Sequence, residues 1–154
     1  MKIAMVGAGY VGLVSGACFA DFGHDVVCID LDQDKIAALK SGRMPIYEPG
    51  LADLVRANVA AGRLRFTTRI DDGAADAQAV FIAVGTPSRR GDGHADLTFV
   101  HQAARDIAAV LRRPAVVVTK STVPVGTGDE VERIMREAAP GLEIAVVSNP
   151  EFLR

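Results

Sequence analysis

Cysteine, aromatic residues and net charge are all scarce in this 154-residue chain, which has two Cys, no Trp and 5% aromatic residues. Two cysteines cannot make the disulfide framework that staples small secreted domains. Cys18 and Cys28 each stand inside an apolar segment, without metal or redox spacing. Both are expected to be reduced core residues, as in a cytoplasmic protein. No apolar run approaches the roughly 18 residues of a membrane span. The start, Met1-Lys2 followed by a short apolar run and glycines, lacks the pattern of a signal peptide. Charge is nearly balanced, with 17 Lys and Arg against 19 Asp and Glu. That leaves no basic footprint for nucleic acid or an anionic membrane. An anionic ligand must then be held locally, by backbone amides and single cations. Repeats and low-complexity tracts are also missing.

What the chain has is hydrophobic content, 49% of residues, enough for one domain with its own core. Short apolar runs alternate with helical patterns. Strands are predicted at 2–6, 25–30, 64–67, 79–84, 115–119 and 143–148. Helices are predicted at 10–22, 32–41, 51–61, 98–111 and 126–139. Turn-rich loops fill 43–50 and 85–97. Near-continuous apolar strands imply burial on both faces, and the intervening helices imply right-handed crossovers. The expected fold class is α/β: a Rossmann, doubly wound parallel sheet of about six strands, plausibly ordered 3-2-1-4-5-6, with helices on both faces. Ligands of such sheets bind at the carboxyl ends of the strands, so the residues just after each strand are the candidates.

After the first strand stand Gly7, Gly9 and Gly12 in a G-x-G-x-x-G. The pattern alone is weak in a chain with 15 glycines, but here it follows a strand and opens a helix. Gly7 permits the tight turn, Gly9 lets a pyrophosphate approach the backbone, and Gly12 lets helix and strand pack closely. The helix N-terminus then favours the anion. The second strand ends at Asp30, whose carboxylate can accept both adenosine ribose hydroxyls and would repel a 2′-phosphate. This favours NAD over NADP. Asp32 is better placed than Asp30 to cap the next helix. Lys35, one helical turn further on, is either at the adenosine or simply solvated.

Gly85, Thr86 and Pro87 follow the fourth strand, where a Rossmann loop passes the cofactor; a bland turn would use the same residues. Asp92, His94 and Asp96 read as a polar loop with turn hydrogen bonds rather than a metal site. Thr122 follows the fifth strand, where hydroxyls face the crevice or cap a helix. Glu151 follows the sixth, where a carboxylate can act as acid or base or lie exposed in a loop. His24 and His101 have no partner spacing and read as surface or boundary residues.

Together, GAGYVGL (7–13), IYEPGL (46–51), VGTP (84–87), KSTVPVGT (120–127) and NPEFLR (149–154) resemble the nucleotide-sugar 6-dehydrogenases, the UDP-glucose/GDP-mannose dehydrogenase family. The resemblance covers essentially the whole chain. It implies oxidation of a sugar C6 alcohol to a carboxylate in two NAD-dependent steps, with a cysteine carrying thiohemiacetal and thioester intermediates. It implies NAD contacts for Tyr10, Val11, Asp30, Lys35 and Thr86. Thr122 is implied near the nicotinamide and the catalytic water, and Glu151 in thioester hydrolysis. Phe152, Leu153 and Arg154 are implied to contact the nucleotide sugar. KSTVPVGT leans toward UDP-glucose, with GDP-mannose and UDP-N-acetylmannosamine as alternatives. The implied catalytic cysteine, lysine and asparagine and the sugar-nucleotide domain come later than Arg154. The expectation is therefore an NAD-binding domain spanning 1–154 that does not turn over substrate alone, monomeric where the full-length enzyme is a homodimer. A stand-alone NAD-sensing module is the alternative from another class.

Overall fold

A computed structural model describes residues 1–89, 91 and 94–151. Six strands form one wholly parallel sheet: β1 (Lys2–Val6), β2 (Asp25–Ile29), β3 (Leu64–Thr67), β4 (Ala79–Ile82), β5 (Ala115–Thr119) and β6 (Ile144–Ser148). Their order is β3-β2-β1-β4-β5-β6, the doubly wound order expected from the sequence. The chain reverses direction across the sheet between β1 and β4, which opens a crevice at their carboxyl ends.

Helices α1 (Tyr10–Asp21), α2 (Gln33–Lys40) and α3 (Leu51–Ala60) cover one face. Leu13, Ala17, Ile36, Leu51 and Val55 pack there against Ile3, Met5, Val26 and Cys28. Helices α4 (Ile70–Ala74), α5 (Thr98–Val110) and α6 (Thr127–Ala138) cover the other. On that side Val100, Ile107, Val131 and Met135 meet Ala4, Val6, Val80, Ile82 and Val117. The helical periods produce these faces: α5 buries Val100, Ala103, Ala104 and Ile107, spaced as one helical stripe. In α1 the stripe is made of small residues. A Cβ on Gly16 would lie 2.7 Å from the Cys28 Sγ, so the absence of a side chain there lets the helix sit close against β2.

The sequence reading runs one or two residues long at several ends. β2 stops at Ile29 and β4 at Ile82, one and two residues short of the apolar patterns. The α4 turn between β3 and β4 carries no periodic signal, because five residues are too few to show one. Cys28 is buried and its thiol is pushed up to about 12 by that burial, whereas Cys18 is only half-buried. Both are free. Among the described residues no helix is long and apolar enough to cross a membrane.

Candidate dinucleotide site

The glycine turn joins β1 to α1 and presses against β4. Gly7 has φ +103°, a left-handed conformation that favours glycine, and a Cβ there would lie 2.4 Å from the Ala83 carbonyl oxygen. A Cβ on Gly12 would lie 1.8 Å from the Gly7 oxygen, so the first turn of the helix closes on the strand end only without a side chain. Above Gly9, by contrast, a Cβ would meet nothing within 4 Å. The backbone is therefore bare on the side where an anion must approach. The first turn of α1 carries no capping side chain and no acidic residue. Helices α2, α3, α4 and α6 each place Asp or Glu in theirs. The N-terminal amides of α1 are thus not capped by a side chain or acid of the helix's own first turn, which suits them to bind a phosphate. Tyr10, half-exposed at the start of α1, donates its hydroxyl to the Glu48 carboxylate, and Val11 beside it is half-buried.

Asp30 lies just past β2, and its side chain is 14% exposed. Its Oδ2 accepts the Ala8 amide at 2.9 Å and the Lys35 ammonium at 2.8 Å, while Oδ1 accepts the Asp32 amide at 3.0 Å. Burial pushes this carboxyl upward, but Lys35 and the two amides outweigh it and hold the group below the ordinary carboxylate value. A carboxylate has about four acceptor positions, so one remains open, on Oδ1. Asp32 caps α2 through the Lys35 amide at 2.9 Å, as the sequence suggested.

On the other side of the crevice, the ends of β4 and β5 are tied together by hydroxyls. Ser121 donates to the Val84 carbonyl at 2.7 Å, and Thr86 donates to the Thr122 carbonyl at 2.9 Å. Gly85 and Pro87 flank Thr86 at the surface, with Gly85 facing open space. The Pro87 carbonyl accepts the Asp96 amide at 2.8 Å, and Asp96 in turn accepts the Thr98 amide at 2.9 Å, one of the turn bonds expected of this loop. Asp92 lies outside the described residues.

The end of β6 joins the same edge. The Thr122 hydroxyl donates to the Glu151 carbonyl, and the Glu151 carboxylate pairs with the Lys120 ammonium at 2.6 Å. Lys120 also reaches the Asn149 side-chain oxygen at 3.1 Å. Its side chain is 14% exposed against 40% for Glu151, so the cation is the anchored member and the acid the accessible one. The sequence pattern by itself assigns Lys120 no role. A lysine directly after a strand of Ala, three Val and Thr was the available signal. Phe152, Leu153 and Arg154 lie outside the described residues. His101, 25% exposed, faces Glu130 at 2.9 Å between α5 and α6, a boundary position.

Gly7, Gly9, Tyr10, Val11, Gly12, Asp30 and Lys35 thus gather on one side of the crevice, and Gly85, Thr86, Pro87, Thr122 and Glu151 on the other. A bare anion cradle beside a carboxylate at the end of β2 fits a dinucleotide. The class is a dinucleotide-binding domain of the Rossmann type. All of residues 1–154 match the UDP-glucose/GDP-mannose dehydrogenase family, NAD binding domain, and the chain belongs to that family. NAD is the cofactor of the domain. The chain is 70% identical to the UDP-glucose 6-dehydrogenase of Rhizobium meliloti (strain 1021), over 100% of this chain and 35% of that protein. It superimposes on a UDP-glucose dehydrogenase from the archaeon Pyrobaculum islandicum with TM-score 0.93 and 43% identity, covering 99% of this chain and 36% of that one. A ternary complex of GDP-mannose dehydrogenase from Pseudomonas aeruginosa gives TM-score 0.93 at 36% identity, covering 100% and 37%. The chain spans about a third of the length of the curated relatives it matches.

Proposed function

We propose that these residues form the NAD-binding domain of a UDP-glucose 6-dehydrogenase, in which a longer protein oxidises UDP-glucose to UDP-glucuronate in two NAD-dependent steps. The Asp30 cluster carries the reading, supported by the 70% identity to a protein of that name. The amides of Gly9, Tyr10 and Val11 hold the pyrophosphate, with Gly7 and Gly12 shaping the turn. Asp30 accepts a ribose hydroxyl on its open Oδ1 position, and the second hydroxyl shares or displaces Lys35 at Oδ2. Asp30 already neutralises Lys35, so a 2′-phosphate meets a carboxylate whose neighbouring lysine is already paired. Gly85, Thr86 and Pro87 line the nicotinamide side.

Bound NAD supplies the hydride acceptor. Thr122 positions the reacting end against it, and the half-exposed Glu151 carboxylate, held by Lys120, serves the hydrolytic step by taking a proton from water. Glu151 and the segment 152–154 contact the nucleotide sugar. Neither cysteine of the chain serves as the nucleophile. Cys28 is buried in β2 with its thiol at about 12, and Cys18 lies in α1, away from the carboxyl edge. A thiolate is the nucleophilic form, so Cys28 is inert. The chain alone therefore binds NAD without turnover. The test is a pair of assays on the 154-residue chain: NAD titration of the wild type and of Asp30→Ala, and NADH production with UDP-glucose. Binding that Asp30→Ala weakens, with no NADH formed, is expected. An unchanged affinity would remove Asp30 from the site, and steady NADH production would refute the missing nucleophile.

A further inference from the structure

The segment IYEPGL carries no role in the cofactor site described above, yet one of its residues reaches into it. Residues 43–50 join α2 to α3 and are pinned from several sides. Met44 and Ile46 pack against the core under α1. The Arg43 amide bonds the Ala38 carbonyl at 2.9 Å, and the Leu51 amide bonds the Glu48 carbonyl at 3.1 Å. Gly50, at φ +80°, turns the chain into α3, whose first residue Leu51 is buried. A loop held this firmly presents its side chains in fixed directions. Tyr47 is directed outward, 89% exposed, while Glu48 accepts the hydroxyl of Tyr10. Tyr10 is the first residue of α1 and follows Gly9, above which the backbone is bare.

We infer that Glu48 is a positioning residue for the cofactor site. It holds the Tyr10 ring at the rim of the glycine turn and makes the 43–50 loop a wall of the NAD groove. A tyrosine on the first turn of a helix has two rotatable side-chain bonds, and ordering such a side chain on binding costs affinity. Glu48 sets the ring in advance. The same hydrogen bond raises the Tyr10 phenol above its ordinary value, with the burial and charge of the contact acting in the same direction. The inference rests on the assignment of the 7–12 turn to NAD.

The experiment is a double-mutant cycle on the 154-residue chain, with NAD affinity measured by calorimetry for wild type, Glu48→Ala, Tyr10→Phe and the double variant. Each single variant is expected to bind NAD roughly three- to tenfold more weakly, the size expected for one side chain left to be ordered. The double variant should be no weaker than Tyr10→Phe alone, because Glu48 acts through the hydroxyl. Glu48→Gln, whose amide oxygen still accepts the phenol, should restore most of the loss. The chain has no Trp and two Tyr, so a Tyr47→Phe background leaves Tyr10 as the sole phenol for an ultraviolet titration. In that background Glu48→Ala should lower the midpoint. If wild type binds NAD and Asp30→Ala weakens it, but Glu48→Ala changes neither affinity nor titration, the positioning role is wrong. Additive losses in the double variant overturn it equally. If wild type does not bind NAD, the cofactor assignment itself has failed.

Discussion

The two halves of the sheet treat their surroundings differently. In the half built from β1, β2 and β3, four of the five residues in each of β1 and β2 are buried, beneath α1, α2 and α3 on one face. In the half built from β4, β5 and β6, the last strand has no fully buried residue, and Val116 and Val147 are 39% and 46% exposed. The polar groups follow suit. The Asp30 carboxylate has three donors and one acceptor position to spare, whereas the Glu151 carboxylate has, among the described residues, one cation, Lys120. The β2 side of the crevice is thus finished by contacts within the protein, and its geometry is set before any ligand arrives. The β4 to β6 side offers a pair of hydroxyl-tied strand ends and an acid paired with one lysine.

The largest expected effect falls on the first half. Gly12→Ala forces a Cβ to within 1.8 Å of the Gly7 oxygen, so the turn must open. A loss of about 3 kcal/mol in folding stability, at the upper end for overpacking, is expected in denaturant melts, along with loss of NAD binding. If the variant is as stable as wild type, the close packing of the turn is not what the structure indicates. Asp30→Ala comes next: NAD affinity should fall by about 1–3 kcal/mol, the range for a charge-assisted hydrogen bond and its unpaired partners. Asp30→Asn should lose less, while narrowing the NAD over NADP preference, because Lys35 is released.

The Asp30 shift also gives a pH dependence. Its folded value is lowered, so the stabilisation is complete above the ordinary carboxylate value of about 3.9 and disappears as pH falls through the lower folded value. Thermal melts from about pH 6 to about pH 3 should show wild type losing its advantage over Asp30→Asn on acidification. A constant difference would deny the ion pair its role. The smallest effect belongs to the second half. Val147→Thr on the exposed side of β6 should change stability by no more than about 0.5 kcal/mol, since surface substitutions rarely do more. A larger loss would mean that this face is covered in solution.

Much of this was legible in the sequence, for reasons that can be named. Strands buried on both faces announce themselves as apolar runs, and a parallel doubly wound order follows from their alternation with helices. Gly7, Gly12 and Asp30 were legible because a tight turn, a close approach and a strand-end carboxylate each demand a particular residue. What escaped the reading depends on contacts distant in the chain. Lys120 meets Glu151 across 31 positions and Tyr10 meets Glu48 across 38, and no local pattern couples them. The bond from the Ala8 amide to Asp30 was hidden for the same reason, since it arises only once β1 and β2 lie side by side.

The central claim is that the first half holds a preset site for the adenosine and pyrophosphate of NAD. Calorimetric titration of the 154-residue chain with NAD and then with NADP tests it most directly. The account predicts saturable NAD binding and NADP binding weaker by at least about tenfold, equivalent to ~1.4 kcal/mol. Equal affinities, or no heat with NAD, would contradict it.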